Sequence, residues 1–240
     1  MSKPEQYRNE WKYLIDVQQK EYICKRLGSF LQLDKHARNG GYMIRSLYFE
    51  DYFKSSYEEK DAGVLRRKKY RIRVYNCSDS SIKLERKKKF GSYIFKEAAS
   101  LTKEEVYKIL DGDYDFLLQS DKPLLREFYY ECISNVMRPR VIVDYEREPW
   151  VSDEGTVRIT FDMDVRAAVG SFDIFDDTLP TLDVLEPGKC VMEVKFTEFL
   201  PQQLREVLPD RASEFTAVSK YVLCYEKTEY MNSFKYWYEN

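Results

Sequence analysis

The sequence predicts an α+β protein built mainly from antiparallel β-strands. Alternation of apolar with charged residues recurs in well-separated segments, the signature of strands with two unlike faces. The aromatic share is 15%, with 20 tyrosines and 14 phenylalanines, residues that suit a pleated surface. No repeat, low-complexity run or Pro/Gly/Ser linker divides the 240 residues, so a single domain over residues 1–240 is expected.

The elements follow in chain order. Trp11, Tyr13 and Ile15 oppose Glu10 and Lys12. Ile23, Leu27, Phe30 and Leu31 fall at roughly helical spacing, which predicts a helix over 17–33. Gly40-Gly41 reads as a turn. Ile72 and Val74 oppose Arg71 and Arg73, and Ile82 and Leu84 oppose Lys83, Glu85, Lys87 and Lys89. Thr102 with Glu105 three residues later forms a capping box ahead of Val106, Ile109 and Leu110, so a short helix starts there. In 157–165 the apolar Val157, Ile159, Phe161, Met163 and Val165 alternate with Arg158, Thr160, Asp162 and Asp164. Met192, Val194 and Phe196 oppose Glu193 and Lys195, and helices are expected over 201–208 and 213–225. Tyr70, Tyr75 and Tyr145 read as core or wall residues.

Composition removes several function classes. Lys+Arg 39 against Asp+Glu 41 leaves a formal charge of −2 and a pI near 5.8, so an anion site must come from local patterning. A nucleic-acid-binding sheet would set aromatic residues on the cationic face. Here aromatic and aliphatic residues mostly oppose the cations, so no nucleic-acid partner is expected. Five scattered cysteines without a CxxC read as reduced thiols of a cytoplasmic protein. No apolar run approaches the roughly 20 residues that span a bilayer. His36 is the only histidine, which removes Ser-His-Asp, Cys-His and HExxH chemistry, and neither a P-loop nor a GxGxxG is present. An enzyme of this composition works with carboxylates, lysines, arginines and a hard metal ion.

The charged strand faces admit two readings. In a one-sided sheet they meet bulk water. The alternative is an inverted barrel, with apolar faces outward under helices and charged faces lining an interior tunnel. A plain solvated face accepts Ser, Thr, Asn and Gln as readily as ions, whereas these faces are dominated by Arg, Lys and Glu. Removing unpaired charges from water costs several kcal/mol per ion, so such a lining needs water, partial neutralisation by glutamates and a multivalent anion.

Eight segments in order carry a family resemblance: RNEWKY at 8–13, RSLYFED at 45–51, RIRVY at 71–75, LERK at 84–87, RPRVIVDYER at 138–147, VRITFD at 157–162, VMEVK at 191–195 and SKY at 219–221. Together they resemble the triphosphate tunnel metalloenzymes, and more closely the VTC-type polyphosphate polymerase branch. Arg8 stands where the adenylate-cyclase and thiamine-triphosphatase branch opens with a glutamate, which favours the polymerase branch.

The resemblance implies an eight-stranded antiparallel tunnel with a charged interior and helices packed outside. It implies that triphosphate is held by Lys12, Arg71, Arg73, Lys87, Arg158 and Lys220 as the catalytic set, with Arg45, Lys83, Lys96, Arg147 and Lys195 as further phosphate-binding cations. Lys96 follows the turn at Gly91. Glu193 is the implied metal ligand, with Glu85 and Glu10 as helpers, for Mn2+ or Mg2+. The implied activity is transfer of the terminal phosphate of ATP to a polyphosphate chain. A triphosphatase on the same fold, or a non-enzymatic polyphosphate or inositol-phosphate binding module, is the alternative. Coupling to a membrane would rest on a partner, because this chain shows no inositol-phosphate-sensing domain or membrane helix. Lys68, Lys69, Arg86 and Lys88 are expected on the rim or surface, and Asp162 and Asp164 as ion-pair partners of Arg158.

Overall fold

The computed structural model describes residues 9–37, 40–90, 93–152, 156–197, 199–209 and 218–232. Arg8, Gly91 and the start of the helix expected over 213–225 lie outside them. Among the described residues ten strands form: β1 (Asn9–Asp16), β2 (Gln32–Leu33), β3 (Tyr42–Glu50), β4 (Arg66–Tyr75), β5 (Ser78–Phe90), β6 (Tyr93–Leu101), β7 (Arg138–Val151), β8 (Val157–Ala168), β9 (Thr181–Asp183) and β10 (Lys189–Phe196). The hydrogen-bonded order is β1-β10-β8-β7-β3-β4-β5-β6, with β2 beside β7 and β9 beside β8. The main path has the expected eight strands, but the closed barrel is corrected to an open ten-stranded sheet among the described residues. The chain divides into two compact units: Met1–Met43, Tyr145–Val165 and Asp183–Lys220 in one; Ile44–Asp144, Arg166–Leu182 and Tyr221–Asn240 in the other. No helix among the described residues is long and apolar enough to cross a membrane.

In the first unit β1, β10 and β8 present Tyr13, Ile15, Ile159, Phe161, Met192 and Val194 to one core. The helix Val17–Leu27 covers that face with Ile23 and Leu27. Asp16 caps it: Gln19 N–H donates to Asp16 Oδ1 at 2.8 Å and Asp16 N–H to Gln19 Oε1 at 2.9 Å. The helix stops at Leu27, short of the expected 33, because Gly28 follows and Gln32–Leu33 pair with Val151 and Trp150 of β7. Ladder hydrogen bonds there outcompete helical spacing. Gly41 lies so close to β7 that a Cβ would sit 2.6 Å from the Arg147 carbonyl oxygen, which explains the second glycine of the turn.

In the second unit β4, β5 and β6 form a meander whose apolar face, Tyr70, Ile72, Val74, Ile82, Leu84, Ala99 and Leu101, packs under helices. These are Lys103–Leu110, Asp115–Leu118 and Pro123–Ser134, which contribute Val106, Ile109, Leu117, Leu125 and Phe128. The capping box at Thr102 and Glu105 is closed in both directions. Thr102→Ala is expected to cost about 1 kcal/mol, read from the midpoint of chemical unfolding. The helix Pro123–Ser134 has proline in its first turn but mixes buried Leu124, Leu125 and Phe128 with exposed Tyr130 and Ile133, which hid its periodicity. Its Glu127 and Glu131 reach the strands and pair with Arg86 and Lys68, while Lys88 lies 3.6 Å from Glu127.

Candidate functional site

Each unit carries a charged strand face opposite its helix-covered face. In the first unit, register alone assembles it. Glu10, Lys195 and Arg158 align across β1, β10 and β8, and Lys12, Glu193 and Thr160 form the next row. Opposite charges directly across strands attract. Lys195 Nζ lies 2.5 Å from Glu193 Oε2, while Lys12 Nζ lies 3.3 Å from Glu193 Oε1 and 3.7 Å from Glu10. Lys220, the first residue of the helix Lys220–Lys227, joins from outside the sheet: its Nζ donates to Asp162 Oδ2 at 2.5 Å and to Glu193 Oε1 at 3.4 Å. Arg147 on β7 forks onto Asp162, Nε to Oδ1 at 2.6 Å and Nη2 to Oδ2 at 2.8 Å.

Burial alone would push the Glu193 carboxyl up. The charges of Lys220, Lys195 and Lys12 outweigh it and hold the group well below the usual carboxylate range. Asp162 follows the same balance: burial raises it, and Lys220 and Arg147 bring it below normal. Burial would lower Lys220, but Asp162 and Glu193 raise it above an ordinary lysine. Both carboxylates are therefore ionised at neutral pH.

In the second unit Ser46, Arg73, Lys83 and Ser100 form one row across β3 to β6, and Tyr48, Arg71, Glu85 and Ala98 the next. Arg71 donates from Nε to Glu85 Oε2 at 2.7 Å and from Nη1 to the Tyr48 hydroxyl at 2.8 Å. Arg73 Nη1 is 3.7 Å from Glu85, and Lys83 Nζ donates to Ser100 Oγ at 2.9 Å. Burial would raise Glu85, yet Arg71 and Arg73 hold it below normal.

The third row is Lys69, Lys87 and Lys96 on β4, β5 and β6. Three lysines thus stand directly opposite one another across three strands, concentrating positive charge on this face. Lys69 had been expected on the rim; it shares the parity of Arg71 and Arg73, and its Nζ sits 3.9 Å over the Tyr221 ring. Its place two residues before Arg71 on the same strand is the signal. Lys69→Ala is expected to weaken triphosphate binding about tenfold in a titration, the scale of one lost charge-assisted contact.

Other expected residues lie apart from these rows. Arg45 is 2% exposed and forks onto Asp144 at 2.9 and 2.8 Å, with Nη1 donating to the Asp176 carbonyl. Its donors serve the interior of the second unit. Arg158 shares the face of Lys195 but turns to Asp34, at 3.1 Å, and to the Tyr42 hydroxyl, at 3.3 Å. Asp162 serves Arg147 and Lys220 instead of Arg158, while Asp164 is exposed with φ +49°.

Among the described residues no group of three or more His, Cys, Asp or Glu could hold a metal, so a cage made wholly by protein is not the pattern. Glu193 and Glu10 share Lys12 and Lys195 as neighbours. A small hard ion that keeps waters and substrate oxygens needs only one or two carboxylates, and at Glu193 it would compete with Lys12, Lys195 and Lys220. Glu85 is taken up by Arg71 and Arg73.

Comparisons with known proteins bear on the fold and on the family. A proposed adenylate cyclase from Bacillus halodurans superposes with a TM-score of 0.50 at 11% identity, covering 84% of this chain and 86% of the other. A proposed adenylyl cyclase from Hippeastrum, described as having a dominant triphosphatase activity, gives 0.53 at 13% identity, covering 92% and 96%. At such identities the likeness concerns the fold, that of the triphosphate tunnel proteins. No curated protein sequence matches significantly. The family model for the VTC domain matches residues 7–229, nearly the whole chain. The chain belongs to the VTC domain family.

Proposed function

We propose that this protein is a metal-dependent phosphoryl transferase that binds the triphosphate of ATP and passes its terminal phosphoryl group to a polyphosphate chain. The observation that carries the reading is that Lys69, Lys87, Lys96, Arg71 and Arg73 share one strand face, five cations gathered where the oxygens of a multivalent anion could meet them together. Arg71 and Arg73 offer rigid forks to phosphate oxygens, and Lys69, Lys83, Lys87 and Lys96 add mobile point charges. Lys12, Lys195, Lys220, Arg147 and Arg158 supply cations on the other charged face, four of them steadied by Glu193, Glu10 or Asp162. Glu193, with Glu10, would hold Mn2+ or Mg2+. When bound, that ion would neutralise phosphate charge as the bond breaks. Arg45, spent on Asp144, stays outside the set.

In the transfer, the bond from the terminal phosphorus to its bridging oxygen breaks and ADP leaves with the electron pair. A new P–O bond forms to a terminal oxygen of the acceptor chain. Phosphoryl transfer depends on in-line positioning and charge stabilisation, which fixed cations provide. A polyphosphate end is already ionised and needs no general base. Water as acceptor would need one, a role open to the carboxylates of the charged faces, so the labelled product decides between the two acceptors. All five cysteines are free, in keeping with a cytoplasmic setting.

The test is incubation of the pure protein with terminally labelled ATP and Mn2+, followed by sizing of the labelled product. Long labelled chains are expected. Release of inorganic phosphate alone would make it a triphosphatase, and tight binding without turnover would leave only a binding module.

A further inference from the structure

Glu50, on β3, is the most buried carboxylate outside the ion clusters described so far, at 1% exposure and with no arginine or lysine bonded to it among the described residues. It accepts a hydrogen bond from the Tyr221 hydroxyl at one oxygen and from the Ser56 backbone N–H, at 3.1 Å, at the other. Tyr221 is 3% exposed and its ring packs against Tyr48 at 4.9 Å between centroids. The Tyr48 hydroxyl accepts from Arg71 Nη1 at 2.8 Å, and the Lys69 ammonium sits 3.9 Å over the Tyr221 ring. A single buried carboxylate thus fixes one aromatic ring on which two cations of the charged face depend, one by cation–π contact and one through a neighbouring hydroxyl.

Resting on the phosphoryl-transfer reading above, we propose that Glu50 is a positioning residue that, through Tyr221 and Tyr48, holds Lys69 and Arg71 in place for triphosphate. A further property follows from its surroundings. Burial pushes the Glu50 carboxyl up to about 7, against the Tyr221 and Ser56 hydrogen bonds and the Lys69 charge; Asp51 adds to the rise. Around Tyr221 the other facing groups are Tyr225 and Arg140. Above neutral pH Glu50 is ionised and grips the Tyr221 hydroxyl. As pH falls through its folded value it takes a proton, the grip weakens, and the two cations lose their registration.

The experiment measures tripolyphosphate affinity by calorimetry for wild type, Glu50→Gln, Glu50→Ala and Tyr221→Phe between about pH 6 and about pH 8, a window bracketing a group of this kind. Gln keeps an acceptor for the Tyr221 hydroxyl but cannot titrate. Glu50→Gln, the neutral isostere of the protonated carboxyl, is therefore expected to bind at the alkaline end about as weakly as wild type does at the acid end, losing part of the fall in affinity that wild type shows toward acid. Glu50→Ala and Tyr221→Phe are each expected to bind about tenfold more weakly at the alkaline end, the scale of one hydrogen bond to a charged group. Protonation of the ligand is common to all four proteins, so the difference between profiles belongs to Glu50. Parallel profiles for wild type and Glu50→Gln, with wild-type affinity in Tyr221→Phe, would overturn the proposal. Tyr221→Phe leaves the carboxylate in place and serves if the Glu50 variants fail to fold. If wild type itself does not bind tripolyphosphate, the functional reading falls and this one with it. If wild type binds and Arg71→Ala does not, while the Glu50 and Tyr221 variants are unaffected, this proposal alone falls.

Discussion

Asp162→Asn is expected to lower the unfolding free energy by about 3–5 kcal/mol, the usual cost of removing one partner from a buried ion pair. Asp162 is fully buried and receives the Arg147 fork and the Lys220 ammonium, at distances from 2.5 to 2.8 Å. Asparagine keeps the shape but returns no charge, leaving two cations answered only by what Glu193 can share. Urea unfolding followed by circular dichroism measures the loss. Adding Lys220→Met should recover part of it, because a buried cation without its counter-ion is worse than an apolar side chain of similar size. The pH dependence has a definite sign. Asp162 and Glu193 both titrate below their unfolded values when folded, so their contribution is complete above the ordinary carboxylate range, about 4. It is lost as pH falls from there through the depressed folded values. An unfolding midpoint that dropped between neutral pH and about 5 would point to other groups.

Arg71→Ala is expected to weaken tripolyphosphate binding by roughly 10- to 100-fold, the range of one or two charge-assisted hydrogen bonds. Arg71 is half-buried, braced by Glu85 and Tyr48, and its neighbours on the same face are Lys69, Arg73 and Lys87. Arg71→Lys should recover only part of the loss, since an ammonium cannot reproduce a planar fork. The control is Lys88→Ala. Lys88 lies on the opposite face, 3.6 Å from Glu127, so losing it removes a similar surface charge without touching the cationic rows. Calorimetric titrations at two salt concentrations measure both. Weakening by Lys88→Ala equal to that of Arg71→Ala would mean that binding follows net charge and not the face.

Alternation made the strands legible, because side chains on a strand repeat with a period of two wherever the strand lies. That local rule put Arg71, Arg73, Glu85, Arg158, Glu193 and Lys195 on charged faces before any coordinates. The three-residue spacing of Thr102 and Glu105 marked the helix cap, which is closed in the structure. Helical spacing misled at Gln32–Leu33, where it gave way to pairing with β7, and was hidden in the helix Pro123–Ser134, whose buried and exposed apolar residues are mixed. Lys69 was misjudged although the same period of two places it beside Arg71.

By itself, then, the sequence determined the β-rich class, the charged faces and, through eight ordered motifs, the family. The tertiary structure decided which partner holds each cation. Arg45 belongs to Asp144, Arg147 and Lys220 to Asp162, and Lys69 to the ring of Tyr221. The physical reason is range: which face a side chain takes is set by its two chain neighbours, whereas its counter-ion arrives from a strand or helix as many as 185 residues away, as between Glu10 and Lys195 (195 minus 10).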